Sequence, residues 1–245
     1  MKLAIQRPFF SALLLAWLVA WPAGHAQAAT PAQSAVSQAA SARVTPALQQ
    51  ALAAKKLKLG EPVFIRIFKQ SRELEVWVRQ AGGPRYALFK TYPICAYSGQ
   101  LGPKQRVGDN QAPEGFYRVA AAQMNPYSHY HLAFDLGYPN AYDRARRRTG
   151  SALMVHGHCV SIGCYAMRDG GIDEIYTLAD AALRAGQPAF EVHAFPFRLT
   201  DAALAARQAN PWHDFWQELK PGYDAFEKTR VPPVIEVRGG HYVAR

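Results

Sequence analysis

Cysteine is scarce: the 245-residue chain contains three. That excludes a disulfide scaffold as the source of the fold, and the odd count leaves at least one thiol unpaired in a monomer. Charge is sparse as well, at 19% of residues, with 18 acidic against 28 basic side chains and a formal net charge of +10. No zinc-finger or helix-turn-helix pattern accompanies this excess, so nucleic acid is not the expected partner. Beyond residue 28 no apolar run approaches the roughly 20 residues of a membrane span, and no internal repeat is visible. What is present is 49% hydrophobic and 12% aromatic residues, enough for a sizeable core and too much for wholesale disorder.

The N-terminus reads as an export signal. Lys2 and Arg7 precede an apolar stretch from Pro8 to Ala23, broken at Trp21-Pro22, and Ala26-Gln27-Ala28 offers the small-x-small pattern of a cleavage site. Residues 1–28 are therefore expected to be removed, leaving an exported, basic protein with no stable membrane span. Residues 29–46, rich in Ala, Ser, Gln and Thr, are expected to be a flexible leader, followed by a short helix from Pro46 to Leu59 that stops at Gly60.

From residue 60 onward the pattern is β-rich, then helical. Val63, Ile65 and Ile67, then Leu74, Val76 and Val78, alternate as in strands, and Tyr86–Ile94 follows as a third. The stretch 96–115 carries four Gly and two Pro and is expected to be a long functional loop, with Tyr97, Lys104, Asp109 and Glu114 as possible groove residues. Short strands are expected at Phe116–Ala120, Leu132–Leu136 and Ala152–Val155, the last ending at His156. Gly171–Ala185 reads as a helix, Phe190–Phe197 as a strand, and a second helical region begins near Thr200. Trp212–Lys228 reads as a helix broken at Pro221-Gly222, and the chain closes in a hairpin around Gly239-Gly240. The order of elements predicts an α+β domain spanning 60–245.

The chemistry concentrates in Val155–Met167, VHGHCVSIGCYAM. Three readings compete. His156, His158, Cys159 and Cys164 are four metal-ligand types, but zinc sites usually draw ligand pairs from separate turns. A Cys159–Cys164 disulfide would close a very small loop. In the third reading Cys164 is a nucleophile: a free thiol is mostly protonated near neutrality, and His156 at the end of the preceding strand can take its proton. Gly163 lacks the Cβ that would crowd an acyl group, and its N–H with that of Cys164 could form an oxyanion hole. Together in one Gly-rich loop, these residues favour catalysis. His129 and His131 alternate as on a strand and face opposite sides, so they cannot easily share a metal.

His156-Gly157 followed by Ser161-x-Gly163-Cys164 resembles the signature of the YkuD-type L,D-transpeptidase catalytic domain. The upstream KTYPICAYSGQLGPKQ, GDNQAPEGFY and LGYPNAYDR and the downstream GIDEIYTL, FPFR and FWQELKPGYDAFE resemble its YafK-like branch, over about residues 60–240. The resemblance implies a twisted β-sandwich or barrel-like core with appended helices. It implies a periplasmic enzyme acting on peptidoglycan stem peptides at the L-centre of meso-diaminopimelate, with a thioester resolved by an amine or by water. Murein-linked lipoprotein is a possible partner in that branch, where hydrolysis would detach it; a non-catalytic murein-binding module is the alternative. Carried over by motif, Cys164 is the nucleophile, His156 the base, and Gly157, Ser161 and Gly163 the loop and oxyanion positions. No metal or organic cofactor is implied.

Two departures stand out. Only seven residues, Gly157 to Gly163, separate His156 from Cys164, and Ala166 occupies a position where many members carry Arg or Asn. Substrate carboxylates then need another partner, and Arg144 or Arg148 can supply a bidentate guanidinium, with Tyr138 as an aromatic wall. Arg146 and Arg147 read as a solvated basic loop. Cys95 and Cys159 can pair with each other in an oxidising compartment, leaving Cys164 as the odd thiol.

Overall fold

The computed structural model describes residues 29–245, so the expected export signal lies outside the described residues. Helix α1 runs from Ala35 to Ala54 and is followed by strands β1 (Val63–Phe68), β2 (Glu73–Arg79), β3 (Tyr86–Pro93) and β4 (Ala96–Tyr97). Next come β5 (Gly115–Ala120), β6 (Met124–Asn125), β7 (Ala133–Asp135), α2 (Ala141–Ala145), β8 (Met154–His156) and β9 (Tyr165–Ala166). Helix α3 (Asp169–Arg184), β10 (Ala189–Phe195), α4 (Asp201–Ala205), α5 (His213–Thr229), β11 (Ile235–Arg238) and β12 (His241–Ala244) complete the chain. The result is the expected α+β arrangement: two five-stranded sheets, a small hairpin and packed helices, with no closed barrel.

The first sheet has the order β3-β2-β1-β10-β5, with β1 parallel to β10 and the other pairs antiparallel. Its central strand β1 is buried along its whole length, although its sequence alternates. Val63, Ile65 and Ile67 face the main core, whereas Phe64 and Phe68 meet Phe226 and Tyr223 of α5. Arg66 lies between those two phenylalanines, fully buried, paired with Glu75 at 2.9 Å and with Glu227 at 2.6 Å. The rings of Phe68, Trp77, Tyr223 and Phe226 surround its guanidinium, an environment that suits a delocalised, weakly hydrated cation. The second sheet has the order β4-β9-β8-β7-β6, and the strands that carry the Val155–Met167 chemistry lie at its centre.

Four expectations change. The stretch 29–46 is not all leader: α1 begins at Ala35, with Ser34 accepting the Ser37 N–H in a capping box. Alanine is the best helix former, and its small side chain lets α1 dock on α3, burying Ala40, Leu48 and Leu52 and pairing Arg43 with Asp173 at 2.5 Å. Helix α5 does not break at Pro221-Gly222. A Cβ on Gly222 would come within 2.7 Å of the Phe116 ring, so this turn of the helix is held by close tertiary packing that outweighs proline's missing hydrogen bond. The turn-rich segment before the arginine cluster forms the short helix α2, capped by Asn140; it takes in Arg144 and ends before Arg146–Arg148. The expected Ala152–Val155 strand is β8, shifted to Met154–His156.

The long loop is anchored from inside. Lys69 Nζ, completely buried, donates to the carbonyls of Gln100, Gly102 and Ala112 and pairs with Glu114 at 3.0 Å. Glu114 also accepts from the Gly102 N–H and from Trp216 Nε1. Glu114 is therefore a core anchor of the loop rather than a groove residue. The closing hairpin turns at Gly239-Gly240, both at positive φ as a tight hairpin turn requires. Among the described residues no helix is long and apolar enough to cross a membrane.

Candidate active site

Strand register organises the site. Phe134 pairs with Val155 and Val155 with Tyr165, and all three side chains enter the main core. Because side chains alternate along strands, the rows on either side point to the opposite face. One row is Ala133, His156 and Ala166. The other begins with Asp135 and Met154, and one further step of the β8–β9 register brings Cys164 opposite Met154. Cys164 and His156 thus emerge on one face as diagonal neighbours, roughly 7–8 Å apart at Cα, with the thiol resting on the Met154 N–H and near the Ala152 carbonyl rather than on the imidazole.

His156 is buried, and its Nδ1 lies 2.5 Å from the Gly157 carbonyl. A carbonyl only accepts, so Nδ1 carries the proton and Nε2 keeps its lone pair. Burial lowers the pKa of His156 below the ordinary imidazole value, the Gly157 carbonyl opposing this weakly, so the ring is a neutral base near neutrality. Tyr130 covers the ring at 4.7 Å between centroids. Gly157 permits this arrangement: an added Cβ would meet the Tyr130 carbonyl at 2.7 Å and Asp169 Oδ1 at 2.8 Å.

The Cys164 thiol is partly exposed. It receives the Met154 N–H at 3.4 Å and lies 3.7 Å from the Ala152 carbonyl. Burial raises its pKa; the Met154 N–H and Lys104 pull it down, and Asp135 pushes it further up. Thiol and imidazole therefore rest neutral, and proton transfer has to accompany attack. The loop before the cysteine is tied by Ser161, whose hydroxyl donates to the Cys164 carbonyl at 2.7 Å and accepts the Gly163 N–H at 3.2 Å. Gly163 has φ +140°, which glycine adopts readily. With its N–H held by Ser161, it is not a free oxyanion donor here, and the Cys164 N–H, unpaired among the described residues, is the nearer candidate.

Cys95 and Cys159 form a disulfide with Cα atoms 5.4 Å apart. It removes Cys159 from both the metal reading and the Cys159–Cys164 reading, and leaves Cys164 as the free thiol. Such a bond belongs to an oxidising compartment. Among the described residues no group of three or more His, Cys, Asp or Glu side chains could hold a metal ion. His131 instead meets Asp173 at 2.6 Å.

A cleft of about 710 Å³ is lined in part by Asp135, Tyr138, Arg144, Ser151 and Ala152 and reaches the site through Ala152, whose carbonyl lies 3.7 Å from Cys164 Sγ; neither Cys164 nor His156 lines it. Arg144 is exposed at its rim and donates to the Pro139 carbonyl. Arg148 is corrected: it is buried, pairs with Asp143 at 2.9 Å and lies over the rings of Tyr142 and Phe215, so its guanidinium points inward and not to a ligand. Tyr138 is buried with its hydroxyl on the Lys104 carbonyl and forms part of the cleft wall. Lys104 is held by Asp109 at 2.5 Å, which keeps the Asp109 carboxyl at about 2 despite its partial burial. Sequence reasoning missed Asp135 and the Met154 N–H. The carboxylate interrupting the apolar LAFDL run was the one visible signal for Asp135.

A family model described as YkuD, L,D-transpeptidase catalytic domain, matches residues 62–194. Two Escherichia coli relatives, from strains K12 and O157:H7, are each named "Putative L,D-transpeptidase YafK". Each is 51% identical over 189 residues, covering 77% of this chain and 76% of the relative. Among solved structures, a mutant of the helical cell shape determining protein Pgp2 from Campylobacter jejuni is similar at TM-score 0.46 and 18% identity, over 76% of this chain. This chain covers 64% of that one, less than two thirds of its length. Bdellovibrio bacteriovorus Bd1075 is similar at TM-score 0.39 and 21% identity, over 73% of this chain and 78% of that one.

Proposed function

As the chain belongs to the YkuD family of L,D-transpeptidase catalytic domains, we propose that it is an exported, periplasmic cysteine acyl-enzyme. Its substrates are peptidoglycan stem peptides, attacked at the L-centre of meso-diaminopimelate. The observation that carries this reading is the shared face of Cys164 and His156, with Nδ1 held by the Gly157 carbonyl and Nε2 left as the base.

The chemistry follows from two neutral partners. Cys164 Sγ attacks the carbonyl carbon while His156 Nε2 takes the thiol proton, and the oxyanion forms within reach of the Cys164 N–H. The intermediate collapses by breaking the C–N bond, and the imidazolium returns its proton to the leaving amine. A thioester remains. An amine or water, deprotonated by His156, then attacks the thioester carbon, and the departing sulfur recovers the proton as the thiol. The cleft lined by Ala152, whose carbonyl lies 3.7 Å from Cys164 Sγ, gives a bound peptide room near the thiol.

Hydrolysis is the favoured outcome within this reading. The thiol is partly exposed, and Val160 and Ile162 on the same loop point to solvent rather than closing over it, so water has access to a thioester. An amidase that detaches murein-linked lipoprotein fits that access. The test is incubation of the mature protein with lipoprotein-linked muropeptides and, separately, with tetrapeptides plus an amine acceptor, with products identified by mass. Release of lipoprotein with water incorporated is expected; crosslinked dimers alone would favour transfer, and no Cys164 adduct in either mixture would leave only a murein-binding module.

A further inference from the structure

Asp135 stands where a carboxylate is costly. It lies in the same register row as Met154 and Cys164, on the same sheet face, with Met154 donating its N–H to the thiol. Two strand spacings separate its Cα from that of Cys164, about 10 Å, so the two side chains border one space. It is half-buried and accepts one backbone bond, from Gly137 N–H at 2.7 Å, through Oδ1. Among the described residues no Lys, Arg or His pairs with it, and burial raises its pKa above the ordinary carboxylate value, that single N–H opposing only in part. Its charge opposes thiolate formation at Cys164. Buried carboxylates are ordinarily paired or neutralised, and this one faces a cleft.

The cleft has two poles. Asp135 shares the wall with Ala152, whose carbonyl lies 3.7 Å from Cys164 Sγ, and Arg144 is at the rim, exposed and held by one carbonyl. The two are not paired with each other. A ligand that satisfies both carries an ammonium and a carboxylate close together, the chemistry of an α-amino-acid terminus. We propose that Asp135 is the ammonium-binding residue of this cleft, and that it selects acyl donors whose side chain ends in a cationic amine. The assignment rests on Cys164 being the acylated nucleophile and adds the substrate feature that the sheet face recognises. A bound ammonium also offsets the carboxylate's field on the thiol, so the correct donor lightens the barrier to its own attack.

The test uses three stem tripeptides extended by one D-residue, with meso-diaminopimelate, L-lysine or L-norleucine at the third position. They present an ammonium with a carboxylate, an ammonium alone, and neither. Thioester formation on Cys164 is followed by intact mass under single-turnover conditions. The wild type is expected to prefer lysine over norleucine by about 10- to 100-fold, the worth of one hydrogen bond to a charged group. In Asp135→Asn that ratio falls to within about threefold, while the asparagine carbonyl still accepts the Gly137 N–H and keeps the turn. Equal use of lysine and norleucine by the wild type, or an undiminished preference in Asp135→Asn, overturns the assignment and leaves the acyl-enzyme reading intact. Absence of any thioester with all three peptides sinks that reading instead. The assignment is then decided by calorimetric binding of the diaminopimelate peptide to Cys164→Ala, which a further Asp135→Asn should weaken about 10- to 100-fold, an unchanged affinity overturning it.

Discussion

Removing the Cys95–Cys159 bond should cost both stability and site order. The bond closes a loop with a sequence separation of 64. Chain-entropy reasoning assigns such a loop about 4 kcal/mol at 25 °C, because the unfolded chain loses that much freedom when cross-linked. In a domain of this size each kcal/mol shifts the midpoint by roughly 2–4 °C, so the Cys95→Ser/Cys159→Ser double variant should melt about 8–16 °C lower. The effect on the site is separate and local. Cys159 lies between His156 and Cys164, and its partner precedes β4, which pairs with β9, the strand directly after the nucleophile. Without the bond the loop is held mainly by the His158 N–H on Asp169 and by the two Ser161 contacts. Acylation of Cys164 should therefore slow well below the melting temperature, where the domain is still folded. The assay is urea or thermal unfolding monitored by circular dichroism, paired with thioester formation at 25 °C. A double variant within about 1 kcal/mol of the wild type, with undiminished acylation, would refute the reasoning. Denatured, unreduced wild-type protein should meanwhile alkylate at one cysteine only.

Three further outcomes are expected. His156→Gln should lower the acylation rate about 10²- to 10⁴-fold while leaving the melting midpoint near that of the wild type, and the wild-type rate should hold to lower pH than an ordinary imidazole allows, because burial keeps His156 neutral there; a rate that falls off at or above the ordinary imidazole value would contradict this. Glu114→Gln leaves Lys69 as an uncompensated buried cation beside three carbonyls, so it should destabilise by about 3–5 kcal/mol in urea unfolding and increase protease cleavage within 96–115. Glu191 is raised to about 7 by burial, with Arg118 only partly opposing, whereas the unfolded chain titrates near 4.5. The folded state thus binds the proton more tightly, and its stability falls as pH rises between those values, so Glu191→Gln should stabilise at pH 8 and have little effect at pH 4.

The strands were legible where their pattern was local. Ile65, Ile67, Leu74 and Val76 alternate strongly, and β1 and β2 appear where the alternation lies. The Gly and Pro of 96–115 correctly signalled an irregular loop, yet gave no sign that Lys69 anchors it from within. Helix α1 was misread because Ala and Ser are common to flexible tails and to tightly docked helices; what separates them is whether another helix lies opposite, and α3 follows more than a hundred residues later. Pro221 was overweighted for the same kind of reason, since its cost is local and the packing that outweighs it comes from β5 and β11.

At the site the division follows range. The spacing of His156, Ser161, Gly163 and Cys164 is contained in one short segment, and the primary structure alone carries both the motif and the unpaired thiol. The tautomer of His156, the choice of Cys95 as the partner of Cys159, the inward commitment of Arg148 and the arrival of Asp135 beside the nucleophile depend on which strands lie side by side. That is a property of pairing register, which sets the face for every residue of a strand at once and can be read only when its neighbours are in place.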